Sequence, residues 1–181
     1  METTKLYVEL LVIGLESFTG VSLTAASIIG IENIKKIVPC SENVLAIFPL
    51  LGTLYIFGII FDRLADLIFQ PIENYFRIKS GLKINSIMLL SFDENQFDFI
   101  TYSRSRMRIL RATIINSIFI MISSVFFISL NITENKVELL LFIIVFCLFA
   151  SIISFISFIR LIKNTYIKAV VIETNLNKIK D

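Results

Sequence analysis

Four long apolar stretches, at about residues 6–31, 44–69, 109–130 and 137–162, govern what this chain can fold into. A helix needs about 20 apolar residues to cross the hydrocarbon of a bilayer at 1.5 Å rise per residue, and each stretch is long enough. Inside lipid only helices and closed barrels satisfy their own backbone groups, and continuous apolar runs are the pattern of helices. Composition points the same way. Hydrophobic residues make up 56% and charged residues 18%, with mean hydropathy +0.83, whereas a soluble domain is about 45–50% apolar and about 25% charged. The sequence predicts an all-α membrane protein: four transmembrane helices in two antiparallel hairpins, forming a single membrane domain over residues 1–181.

Lysine and arginine set the orientation. With the N-terminus inside, fourteen of the seventeen basic residues fall on the cytoplasmic side and only Lys35, Lys36 and Lys136 outside. That bias predicts both ends in the cytoplasm and, for a bacterial protein, an inner-membrane location. Lys5 ahead of an apolar core and the small residues Ala25-Ala26-Ser27 have the outline of a signal peptide. Glu9 and Glu16 inside the stretch argue instead for a retained first span.

The cytoplasmic segment, about residues 70–108, is expected to start where Pro71 ends the second helix. Lys79 to Lys83 reads as a turn. The run 86–90 reads as a short apolar piece, in the interface or against the helices. Ser91-Phe92-Asp93-Glu94 fits a capping box, and neither proline nor glycine follows before Leu130. The third helix is therefore expected as one rod of about 39 residues, roughly 58 Å against a hydrocarbon core of about 30 Å, extended into the cytoplasm. Asn131 to Lys136 is a tight polar turn between the last two spans, and residues 163–181 form a cytoplasmic tail.

The first span carries acid where acid is costly. Glu9 and Glu16 are seven residues apart and share a helix face. Glu16 lies about ten residues, roughly 15 Å, beyond Leu6, where a charged side chain costs about 2.5–3.5 kcal/mol on insertion scales. It must be paired, be protonated, or face the bundle interior or water. Two readings follow: a pore-lining or gating carboxylate, or a polar contact between helices. Asn116 and Ser123 repeat at seven residues in the third span, as do Ser117 and Ser124, while Ser151, Ser154 and Ser157 recur every three in the fourth. Such residues allow close helix approach and hydrogen bonds across helices, or line a wet path. Glu9, Glu16, Asn116 and Ser123 are the pore or gating candidates. Pro49 with Gly52 is a place where the second helix would bend.

A second group is expected at the inner boundary. Arg104, Arg108 and Arg111 follow i, i+4, i+7 spacing at the entry to the third span, and Asp62 and Asp66 are i, i+4 on the second, beside Arg63. Arginine and carboxylate match in a bidentate geometry where water is scarce. The six residues form a candidate charge cluster that either locks two helices or opens and closes as a gate. The arginines also suit topology control and anionic headgroups. Voltage sensing needs arginines repeated through the hydrocarbon, and the stripe stops at Arg111.

Other chemistry is weakly supported. The chain has no histidine and no tryptophan, and Cys40 and Cys147 form no pair motif, so no metal and no cofactor is expected. The few scattered glycines make no phosphate-binding loop, and the acids of the central segment, Glu73 among them, read as a solvated face; an enzyme is not expected. A net charge of +2 gives no reason to expect nucleic acid as a partner.

Phe61-Asp62-Arg63-Leu64-Ala65-Asp66 together with Tyr102-Ser103-Arg104-Ser105-Arg106 resembles bacterial multi-pass membrane proteins that have no assigned activity. The resemblance implies a bacterial inner membrane and nothing about chemistry. The expectation is an oligomeric multi-pass protein that forms or gates an ion path, a role that includes membrane effectors of bacterial immunity. The alternative is a non-conducting anchor or scaffold whose central segment and tail recruit a cytoplasmic protein. In both, the lipid bilayer is a partner.

Overall fold

The computed structural model describes residues 2–30, 47–81 and 94–180. Among them every regular element is an α-helix: α1 Glu2–Ile29, α2 Ile47–Ser80, α3 Glu94–Asn131 and α4 Lys136–Lys180, of 28, 34, 38 and 45 residues. All four are long and apolar enough to cross a membrane, which marks the chain as a multi-pass membrane protein. The loop 32–42 with Cys40, the run 86–90 and the capping box from Ser91 lie outside the described residues.

Local chemistry accounts for several helix ends. Gly30 follows α1 with φ +83° and donates its N–H to the Ala26 carbonyl, and Gly81 follows α2 with φ +72° and donates to Ile78. Both are left-handed caps that glycine adopts without strain. Four residues, 132–135, separate α3 from α4. Asn135 adopts φ 51° there and its carbonyl receives the Leu139 N–H. The Lys136 ammonium returns to the Ser129 carbonyl at 3.0 Å, a cation on the negative end of α3.

One expectation about a helix end changes. Pro71 lies inside α2, which continues to Ser80. Proline removes one hydrogen bond and crowds the preceding turn, but the turns after it are held by tertiary contacts. Ile72 and Phe76 pack against the core, and Glu73 pairs with Arg111. The segment after 162, read as a tail, continues α4 to Lys180. Pro49 falls in the first turn of α2, where a missing N–H leaves no helical bond unmade, and Gly52 meets nothing within 4 Å.

The helices pack by two means. α1 and α2 cross closely: a Cβ on Gly14 would run into the Leu54 carbonyl, and a Cβ on Gly58 into the Leu10 carbonyl. Stacked Tyr7 and Tyr55, with ring centroids 5.0 Å apart, and tilted Phe18 and Phe57 flank this crossing. Further along, Phe69 of α2, Ile114 of α3 and Phe158 and Ile162 of α4 form an apolar cluster, joined by Met107, Leu110 and Tyr166. Phe69 meets Phe158 edge-on at 5.1 Å.

The distribution of side chains departs from that of a soluble domain. Large apolar residues of α4 such as Phe142, Phe146, Phe149, Ile152 and Ile156 are exposed, while Glu9, Ser17, Asp62, Ser103, Asn116 and Ser123 are buried. Exposed apolar surface on this scale needs lipid or protein against it, and buried polar groups at membrane depth face the bundle interior.

Candidate functional site

Buried and half-buried polar residues of α1 and α3 meet along the contact of the two helices. At one end Glu9 accepts a hydrogen bond from the Ser105 hydroxyl and pairs with the Arg108 guanidinium at 3.2 Å. Two turns on, Glu16 accepts the Thr113 hydroxyl at 3.1 Å and the Asn116 amide at 3.1 Å. The same amide also donates to the Ile13 carbonyl at 3.2 Å. Gly20 then leaves room for the Phe119 ring, and Thr24 and Ser123 share a hydrogen bond of 2.9 Å. From Glu9 to Thr24 the seam rises about 22 Å along the helix axis, most of a hydrocarbon core of about 30 Å.

The seven-residue spacings explain its composition. Glu9 and Glu16 lie on one face of α1 and both meet α3, and Asn116 and Ser123 lie on one face of α3 and both meet α1. Asn116 is 1% exposed and Ser123 2%, so in this arrangement neither contacts solvent. Ser117 and Ser124 are also buried. Ser17 turns back onto its own helix, donating within reach of the Ile13 and Gly14 carbonyls.

An ion-pair cluster sits at the Glu9 end. Arg108 reaches Glu9 of α1 at 3.2 Å and Asp62 of α2 at 3.6 Å, tying three helices together. Arg111 reaches Asp66 and Glu73, two turns apart on α2, each at 2.5 Å. Two arginines thus hold four carboxylates. Asp62 is 8% exposed, and its Oδ1 and the Arg111 Nε have no hydrogen-bond partner. Arg63 lies on the rim with its side chain 77% exposed, 3.7 Å from Asp66 on its own helix. Arg104 is exposed and outside the ion pairs of the described residues. Arg106 lies over the Tyr102 ring at 5.2 Å.

Reading the residues alone misplaces two of these groups. Glu9 belongs to the ion-pair cluster as well as to the acidic face of α1. Glu73, read as part of a solvated face, is an ion-pair partner of Arg111. Its signal is present in the spacing: Asp62, Asp66, Phe69 and Glu73 follow i, i+4, i+7, i+11 and share a face. Ser105, Thr113 and Thr24 have no such signal, because each matters only once its neighbour on the other helix is known. The Gly14 and Gly58 crossing is missed for the same reason.

The seam joins carboxylate, hydroxyl and amide groups in contact across two helices. Among the described residues no three metal-ligating side chains gather into a site. Comparison with known protein families, with characterised proteins and with solved structures finds no match.

Proposed function

We propose that this chain is an inner-membrane protein, both ends cytoplasmic, that provides a gated ion path along the α1–α3 seam, with the arginine–carboxylate cluster as its inner gate. One observation carries the reading: polar contacts recur over about 22 Å, at Glu9, Glu16 and Thr24, between two helices that otherwise turn apolar surface outward, with the Phe119 ring on Gly20 between the last two. A bilayer tolerates such a line only where it is enclosed or wet. The cluster sits at the end richest in lysine and arginine, the side that the charge bias assigns to the cytoplasm.

Contacts between the helices support a two-hairpin topology and this placement. Leu10 and Gly14 meet Gly58 and Leu54 in reversed order, as antiparallel helices do. Glu9, Glu16 and Thr24 meet Arg108, Thr113 and Ser123 in the same order, as parallel helices do. With a link of four residues, α4 returns along α3. The turns of α3 before Arg108 then project into the cytoplasm by about 20 Å. Because Glu16 is engaged by Thr113 and Asn116 of its own chain, the path runs within each copy rather than around an axis shared by several.

The alternative is a non-conducting anchor. It is favoured by the completeness of the pairing, since Glu9, Asp62, Asp66 and Glu73 each meet an arginine of the same chain. In that reading the cluster is a fixed lock, and the projecting ends of α3 and α4 recruit a cytoplasmic protein. Reconstituted vesicles separate the two. Ion flux that Glu16→Gln alters supports the path, and wild-type vesicles that stay tight at every pH and voltage support the anchor.

A further inference from the structure

We infer that Glu16, Thr113 and Asn116 form a proton-binding site, at which Glu16 alternates between a carboxylate held by both neighbours and a neutral acid whose proton is accepted by Asn116 Oδ1. This deepens the ion-path reading by naming the ion, and its test is separable from that reading. The starting point is an imbalance of donors. The Asn116 amide directs its nitrogen to Glu16 and to the Ile13 carbonyl, while its Oδ1 is buried without any partner. A buried acceptor left unmade is costly. The Thr113 hydroxyl, the O–H donor that shares Glu16 with this amide, is already directed at the Glu16 carboxylate. An ionised carboxylate offers no donor and a protonated one offers a single O–H. Protonating Glu16 therefore supplies the donor that Asn116 lacks, and the carboxyl already lies 3.1 Å from the other end of that amide.

Charge leads to the same state. Of the basic side chains nearest along α3, Arg111 turns to Asp66 and Glu73 of α2, and Arg108 is occupied by Glu9 and Asp62. At the crossing beside Glu16, α2 presents the Leu54 backbone and Gly58 to α1, with Tyr55 stacked on Tyr7. α4 packs on α2 and α3. The half-buried Glu16 thus has neutral dipoles as its hydrogen-bond partners, at a depth where an uncompensated charge is costly. A proton neutralises it. A metal ion suits the site less, because Thr113 and the Asn116 nitrogen present hydrogens to the carboxylate instead of lone pairs. The proton comes from hydronium in bulk water and returns to it, so the exchange leaves water and needs no further reactant.

Infrared spectroscopy of the full chain in bilayers reads this state directly. The wild-type spectrum minus that of Glu16→Gln is expected to show the carbonyl band of a protonated carboxyl growing as the pH is lowered. Thr113→Val removes a donor to the ionised form and is expected to move the midpoint of that band upward by about one pH unit. A difference spectrum with no pH-dependent carboxyl band overturns the inference, and so does a midpoint indifferent to Thr113→Val. Far-UV dichroism establishes that each variant keeps its helix content, and Thr113→Val keeps the test open if Glu16→Gln fails to fold. Titration in vesicles that stay proton-tight upholds the site and overturns the path, and a proton leak without titration does the reverse.

Discussion

Replacing Arg111 by methionine tests whether the arginine–carboxylate cluster holds the bundle together. The guanidinium is 11% exposed and pairs at 2.5 Å with both Asp66 and Glu73, whose side chains are 38% and 28% exposed. Removing one partner of a fully buried pair costs about 3–5 kcal/mol, and an exposed pair contributes about 0.2–1 kcal/mol. This site lies between those limits, since water reaches the carboxylates but hardly reaches the arginine. Arg111→Met is therefore expected to destabilise the fold by about 2–3 kcal/mol. Arg111→Lys keeps the charge but not the fork that spans two acids, and is expected to cost about 1 kcal/mol. Adding Glu73→Gln to Arg111→Met should restore part of the loss, because one stranded carboxylate is then gone. Arg104→Met, seven residues before Arg111 on the same helix and outside the ion pairs of the described residues, is the control. The assay is unfolding in mixed micelles by increasing denaturing detergent, followed by far-UV dichroism. If Arg111→Met falls within about 0.5 kcal/mol of Arg104→Met, the range of ordinary surface changes, the reasoning fails.

The same assay checks three further expectations. Gly14→Ala and Gly58→Ala each place a methyl against a backbone carbonyl and should cost about 1–3 kcal/mol, whereas Gly52→Ala, with nothing near it, should be neutral or stabilising by up to about 1 kcal/mol. One separation of α1 from α2 relieves both clashes, so the double variant should cost less than the sum of the two. Ser103→Ala removes a buried hydroxyl that has no partner and should leave stability unchanged or raise it slightly. Thr24→Val breaks the hydrogen bond to Ser123 and should cost about 0.6 kcal/mol, the average for such bonds between membrane helices.

Helix existence was readable from hydropathy because length and apolar content alone decide whether a segment can cross a bilayer. Helix extent was not, because Pro71 argues for a stop by local sterics while Ile72, Glu73 and Phe76 keep the helix going through contacts with other elements. The faces were also readable. The spacings of Glu9 with Glu16, Asn116 with Ser123, and Arg108 with Arg111 describe stripes whatever lies opposite. Which stripe meets which is a tertiary property, and so Glu9 appeared as a pore candidate without its arginine and Glu73 as a solvent-facing acid. Gly14 and Gly58 carry little meaning singly; their role follows only from their placement across from each other's helices.

Fastening the seam tests the central claim most directly. In a chain with Cys40 and Cys147 replaced by serine, Thr24→Cys and Ser123→Cys stand where two hydroxyls lie 2.9 Å apart. The measurement is proton and cation flux from sealed vesicles before oxidation, after it, and after reduction. A path between α1 and α3 predicts flux in the reduced protein, a loss on oxidation and recovery with reductant. Vesicles that leak equally in both states, or that never leak, would contradict it.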